Sequence, residues 1–195
     1  MPNKQHILPL LCGLSIAALA GCSKSPERTE QVTGAQESSP VTAGAADVSE
    51  PLTRDQVGAT YQLAGAPVLE QGGQRLVISV LVKNTGSVAL ASQGDKPVNL
   101  GISIVDESGE VVDQDFARAA LPEPGIGAGA EAIVVANVPA ERVAGKKLRF
   151  GLVQEGVAWF TGLGVAPLDY GPLSSCEHDG ARTLCGPEGQ ALSQR

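Results

Sequence analysis

The amino-acid sequence predicts an all-β antiparallel sandwich carried behind a long polar N-terminal stretch. Three observations lead there. Short apolar alternations recur from Tyr61 onward, polar turns rich in Gly, Pro, Asn and Asp separate them, and no segment sustains a helical period. Aromatic residues make up only 3% of the 195-residue chain, so the core has to be built from Val, Leu and Ile.

The strands can be taken in order. "RLVISVLVKN" places Leu76, Ile78, Val80 and Val82 on one face and Val77, Ser79, Leu81 and Lys83 on the other, which is the period of a pleated strand. "VNLGISIVD" aligns Val98, Leu100, Ile102 and Ile104, after which "DESGE" turns the chain into "EVVDQDFAR", a hairpin signature. "AEAIVVANV" repeats the pattern. "KKLRFGLVQ" points Leu148, Phe150 and Leu152 inward and Lys147 and Arg149 outward. Strands this short, joined by polar turns, stack as two antiparallel sheets and do not form α/β units.

The N-terminus has a different texture. A basic start at Lys4 leads into an apolar run from Ile7 to Ala20, interrupted by Pro9 and Gly13. A spanning helix needs about 20 apolar residues, so this run reads as a secretory leader. It ends in Leu19-Ala20-Gly21-Cys22, which resembles the lipobox of bacterial lipoproteins. The resemblance implies cleavage between Gly21 and Cys22, acylation of the Cys22 thiol and new amine, and attachment to a lipid membrane. Several acyl chains together hold firmly where one binds only marginally. Ser23 resembles the outer-membrane-directed pattern, so the expected location is the outer membrane, facing the periplasm. From Ser23 to Gln56 the chain has no aromatic residue and only isolated Val32, Val41, Val48 and Leu52. Such a segment cannot offset its ordering entropy and reads as a disordered tether with a reach of about 30 to 35 Å. The expected organisation is a signal peptide over 1–21, lipidated cysteine and tether over 22–56, a sandwich over 57–168, and a C-terminal tail over 169–195.

Between Leu76 and Phe160, the segments "VKNTGSVAL", "LPEPGIGAGAE" and "LVQEGVAWF" resemble the immunoglobulin-like accessory domains of some bacterial glycosyltransferases and polysaccharide-handling proteins. The resemblance implies an immunoglobulin-like antiparallel β-sandwich, with the N-T-G segment as a turn after a core strand and E-G-V-x-W-F as a corner before the last strand. It also implies an envelope-polysaccharide context, but no reaction.

Chemistry-bearing residues are sparse. The net charge is −7 and no basic residues cluster, so no nucleic-acid surface is expected. His178 is the one histidine beyond the leader, which leaves no Ser–His–acid arrangement to expect. Cys176, His178, Asp179 and Cys185 could supply zinc ligands, but an oxidising compartment favours a disulfide. With Cys12 in the leader and Cys22 under lipid, Cys176 and Cys185 remain as an even pair closing a short loop. Asp106, Glu107, Glu110, Asp113 and Asp115 lack the ligand spacing of a calcium loop and read as a solvated turn and strand face, with Asp113 and Asp115 on one side. "PGIGAGAE" has no following Lys and reads as turns. No catalytic residues, metal or cofactor are therefore expected. Trp159 carries two readings: a buried corner plug beside Val157 and Phe160, or an exposed ring for stacking on a sugar. The function expected is a tethered, non-enzymatic module binding a polysaccharide or an envelope protein. The alternatives are an envelope glycan hydrolase using acids such as Asp113 and Glu155, or a passive structural or assembly factor.

Overall fold

Alternating segments become strands that make up about half of residues 50–195, which are the residues that the computed structural model describes. The leader, the lipidation site at Cys22 and the tether as far as residue 49 lie outside the described residues. The strands are β1 (Ala59–Leu63), β2 (Val68–Glu70), β3 (Arg75–Asn84), β4 (Leu90–Ala91), β5 (Val98–Val105), β6 (Val111–Ala120), β7 (Gly125–Ile126) and β8 (Glu131–Pro139). A single helical turn, α1 (Ala140–Val143), leads to β9 (Lys147–Gln154), β10 (Ala158–Trp159), a 3₁₀ turn at Phe160–Leu163, β11 (Leu168–Tyr170), β12 (Ser174–His178), β13 (Ala181–Cys185) and β14 (Ser193–Gln194).

Two sheets pack face to face. In the first, β1 and β2 pair with successive halves of β3, β8 pairs along the other side of β3, and β14 adds to β2 in parallel. In the second, β5 lies between β6 and β9, and β10 and β11 continue from β9. The chain passes to the second sheet between β3 and β5, returns between β6 and β8 and crosses again between β8 and β9, which gives the Greek-key order of an immunoglobulin-like sandwich. The inner rows are those the alternation marks: Leu76, Ile78, Val80 and Val82 of β3 face Leu100, Ile102 and Ile104 of β5 and Leu148, Phe150 and Leu152 of β9, all buried. Full burial of each such side chain contributes about 1.5–3 kcal/mol.

Two buried amides hold the strand ends. Asn84, fully buried at the end of β3, donates from Nδ2 to the carbonyls of Val88 (2.8 Å) and Ile126 (3.0 Å), and its Oδ1 accepts from the Gly86 N–H (3.0 Å). It therefore shapes the N-T-G turn and ties it to β7. Gln154, at the end of β9, accepts from the Leu52 N–H (2.8 Å) and donates to the Glu50 carbonyl (3.1 Å). Glu50 to Gln56, read in the sequence as the last part of the tether, thus belong to the folded body, and Leu52 packs against its core.

The C-terminal stretch is also more integrated than a tail with little core of its own. Leu173, Leu184 and Leu192 enter the main hydrophobic cluster, β11 pairs with β9, and β14 with β2. Cys176 and Cys185 are joined by a disulfide with a Cα separation of 5.9 Å. They sit diagonally across the β12–β13 hairpin, whose register pairs Cys176 with Thr183 and Ser174 with Cys185.

The hairpin from β5 to β6 forms as expected, with Asp106 organising its turn. Its carboxylate accepts from Ser108 Oγ (2.6 Å) and the Glu110 N–H (2.9 Å), and these bonds, the serine's first, hold its pKa below the usual carboxylate range. The alternation beyond the turn breaks, however. Ile104 pairs with Asp113 but Ile102 with Ala117, leaving Gln114 to Phe116 bulged opposite Ser103. Asp113 and Asp115, expected on one face, consequently take different partners: Arg142 at 3.8 Å and Arg118 at 2.6 Å.

Replacing Asn84 with Ala takes its amide from the Val88 and Ile126 carbonyls and leaves the Gly86 N–H with the Gly58 carbonyl alone (3.1 Å). The expected loss is about 2–4 kcal/mol, read as a lower urea midpoint with an unchanged slope. A second test uses Tyr61, whose hydroxyl accepts from the Leu152 N–H (3.0 Å) and whose pKa burial pushes up to about 12. The unfolded phenol ionises near 10, so the unfolded state loses its proton first and stability falls as pH rises from 10 towards 12. The expected loss across that window is about 2–3 kcal/mol. Tyr61→Phe removes it, leaving only the slope from Tyr170, whose pKa burial also raises.

Candidate ligand-binding groove

The outward face of the second sheet carries a groove that begins with two glycines. The β5–β9 register sets Gly101 directly opposite Gly151, clearing side chains from adjacent positions in the middle of the sheet. The chain leaving β10 lies across this clearing. A Cβ on Gly101 would fall within the Trp159 indole, and one on Gly151 would touch Thr161 Cγ2 at 3.4 Å. Phe160, between them, turns inward and is fully buried. Trp159 is thus half-buried as a latch on the outer surface of one sheet. It is neither a plug between the sheets nor a bare platform.

Arg118, the β6 partner of Gly101, lies over the indole with its guanidinium carbon 4.7 Å from the ring centroid. Arg118 is fixed in turn: Nε donates to Glu155 Oε1 (3.0 Å) and Nη2 to Asp115 Oδ1 (2.6 Å), while Asn99 Nδ2 also donates to Glu155 (2.9 Å). With Gly101 against the ring and Arg118 over it, stacking a sugar flat on Trp159 requires displacing Arg118. The ring instead borders the groove beside it.

That groove encloses about 360 Å³. Ser103, Gly151 and Arg149 line its floor, Gln114 and Val111 of β6 one side, and the chain from Gly164 to Pro167 the other. Ser103 Oγ donates to the Gln114 carbonyl (2.9 Å), closing the β6 bulge onto the floor. Arg149 makes a two-pronged bond to Asp169, from Nε (2.7 Å) and Nη2 (2.8 Å). This bond holds the Asp169 carboxyl below the usual carboxylate range and pins β11 to β9. Among the described residues, the Gln114 amide and the Thr161 hydroxyl make no hydrogen bond to the protein.

The acids weighed for hydrolysis are not brought together. Asp113 pairs with Arg142 and Glu155 with Arg118, and neither lines the groove. His178 lies exposed at the β12–β13 turn, 3.5 Å from Asp179. No group of three or more His, Cys, Asp and Glu among the described residues is placed to hold a metal ion. No described helix is long and apolar enough to cross a membrane. Sequence reasoning singled out Trp159 but missed Gly101, Gly151, Gln114 and Arg149 as its setting. The signal available was a glycine at an outward position of each of two apolar strands, which usually marks a close approach by another part of the chain.

Gly101→Ala forces the indole off the sheet. Because Trp159 is the sole tryptophan, its emission is expected to move to longer wavelength while the far-ultraviolet β spectrum persists and stability falls by about 1–3 kcal/mol. An unshifted emission maximum contradicts this packing.

No family model matches this chain, and no curated protein does. One solved structure, a beta-glucosidase from Listeria innocua in complex with glucose, is similar with a TM-score of 0.32 and 16% identity, over 58% of this chain and 16% of that one.

Proposed function

We propose that this chain is a lipid-anchored envelope protein that displays an immunoglobulin-like β-sandwich as a non-enzymatic binding module. The leader and Leu19-Ala20-Gly21-Cys22 support the anchor, and Ser23 the outer membrane facing the periplasm. The groove's lining carries the binding reading: an arginine, an amide, hydroxyls and apolar surface converge there, while the nearby carboxylates Asp115, Glu155 and Asp169 are each committed to an arginine. A glycosidase needs two carboxyl groups facing one bond, one of them free to give its proton. The lining suits recognition of an envelope polysaccharide or protein by hydrogen bonding and packing.

The anchor is tested at Cys22. The wild-type chain is expected to incorporate labelled palmitate and to sediment with the membrane. Cys22→Ala is expected to lose the label and either leave the membrane fraction or persist as an uncleaved precursor. Failure of the wild-type chain to take up label overturns the anchored reading.

A further inference from the structure

We infer that the groove beside Trp159 binds an uncharged oligosaccharide, using the Gln114 amide, the Thr161 hydroxyl and the Arg149 guanidinium to hold sugar hydroxyls. This rests on the reading of the chain as a binding module and names its ligand class. The first argument is charge. Arg149, the one cation in the groove's lining, is neutralised by Asp169, and Arg118 beside it by Glu155 and Asp115, so an anionic ligand gains no unpaired positive charge from the lining itself. The second is hydrogen-bonding capacity. Arg149 spends Nε and Nη2 on Asp169 and keeps Nη1 donors, while the Gln114 amide offers both donors and an acceptor. Planar amide and guanidinium groups match adjacent hydroxyls, which donate and accept at once. The third is shape. A volume of about 360 Å³ lies near the lower end of small-ligand sites, roughly 300–1,000 Å³. Val111, the Trp159 edge, Val165 and Pro167 supply apolar surface for the C–H faces of a sugar ring. The groove also lies on the face of a sheet, where an extended peptide finds no free main-chain ladder to join.

The sole tryptophan makes the site self-reporting. The mature protein, solubilised in detergent, would be titrated with cellohexaose, maltohexaose, chitohexaose and the anionic oligogalacturonate while Trp159 emission is followed. Expected is a saturable change with at least one neutral hexaose, binding at least about tenfold tighter than the uronate. Loss of one neutral hydrogen bond is about 1 kcal/mol, so the exposed Gln114→Ala should weaken binding about fivefold with an unchanged unfolding midpoint. Arg149→Lys, which keeps the charge but loses the planar fork, should weaken it further. The assignment falls if none of the three neutral probes perturbs emission, if oligogalacturonate binds tighter, or if Gln114→Ala binds like wild type. In each case palmitate labelling still judges the anchor separately. Cleavage of a bound hexaose would overturn the non-enzymatic reading itself.

Discussion

One register, that of β5 against β9, sets both the interior and the groove. From Val98 opposite Gln154 to Val105 opposite Lys147 the pairing is continuous. Inside, it sets Leu100 against Leu152, Ile102 against Phe150 and Ile104 against Leu148. Outside, it sets Gly101 against Gly151 and Ser103 against Arg149. Strand side chains alternate with period two, so a slip of one residue would put the aliphatic rows in water and the glycines in the core. The core thus enforces the register, and the register delivers the groove floor as its reverse side. Trp159 then covers Gly101, Arg118 covers Trp159, and Asp115 and Glu155 orient Arg118.

The margins of the sandwich are fastened by amides, a strand and a disulfide. Asn84 and Gln154 are buried polar side chains, each satisfying main-chain groups where the chain leaves regular pairing. A buried amide in such a place is costly to lose, because its partners have no water to turn to. The last residues lap back onto β2 through β14, and Leu184 and Leu192 bring the disulfide-bonded hairpin into the same core. The disulfide therefore constrains a hairpin that is also held by packing.

Where alternation is unbroken, the sequence was a sufficient guide: the inward rows of β3, β5 and β9 are those its periodicity marks. It fell short wherever another rule displaced period two. Leu52, Leu173, Leu184 and Leu192 stand singly in polar surroundings, and isolated apolar residues carry no periodic signal even when they reach a core. The bulge from Gln114 to Phe116 is invisible to a pattern that counts every residue as one step. For Trp159, the neighbours Val157 and Phe160 suggested a shared interior. The 3₁₀ turn that begins at Phe160 instead sends Phe160 inward and leaves Trp159 on the sheet's outer face.

The glycine pair shows why this face reads as a site and not merely as a surface. Glycine in a strand interior is destabilising by roughly 0.5–1 kcal/mol relative to alanine, and it forgoes the packing of a β-branched side chain. Neither Gly101 nor Gly151 has a strained backbone that calls for glycine, since neither is among the positive-φ positions. Nor does the core need them, because both point away from it. What they permit is the close passage of Trp159 and Thr161, and with it a walled groove with polar groups facing into it. On a fold shared by many unrelated activities, this departure from local strand preference, which gains nothing for the interior, is what supports the proposed binding at the surface it creates.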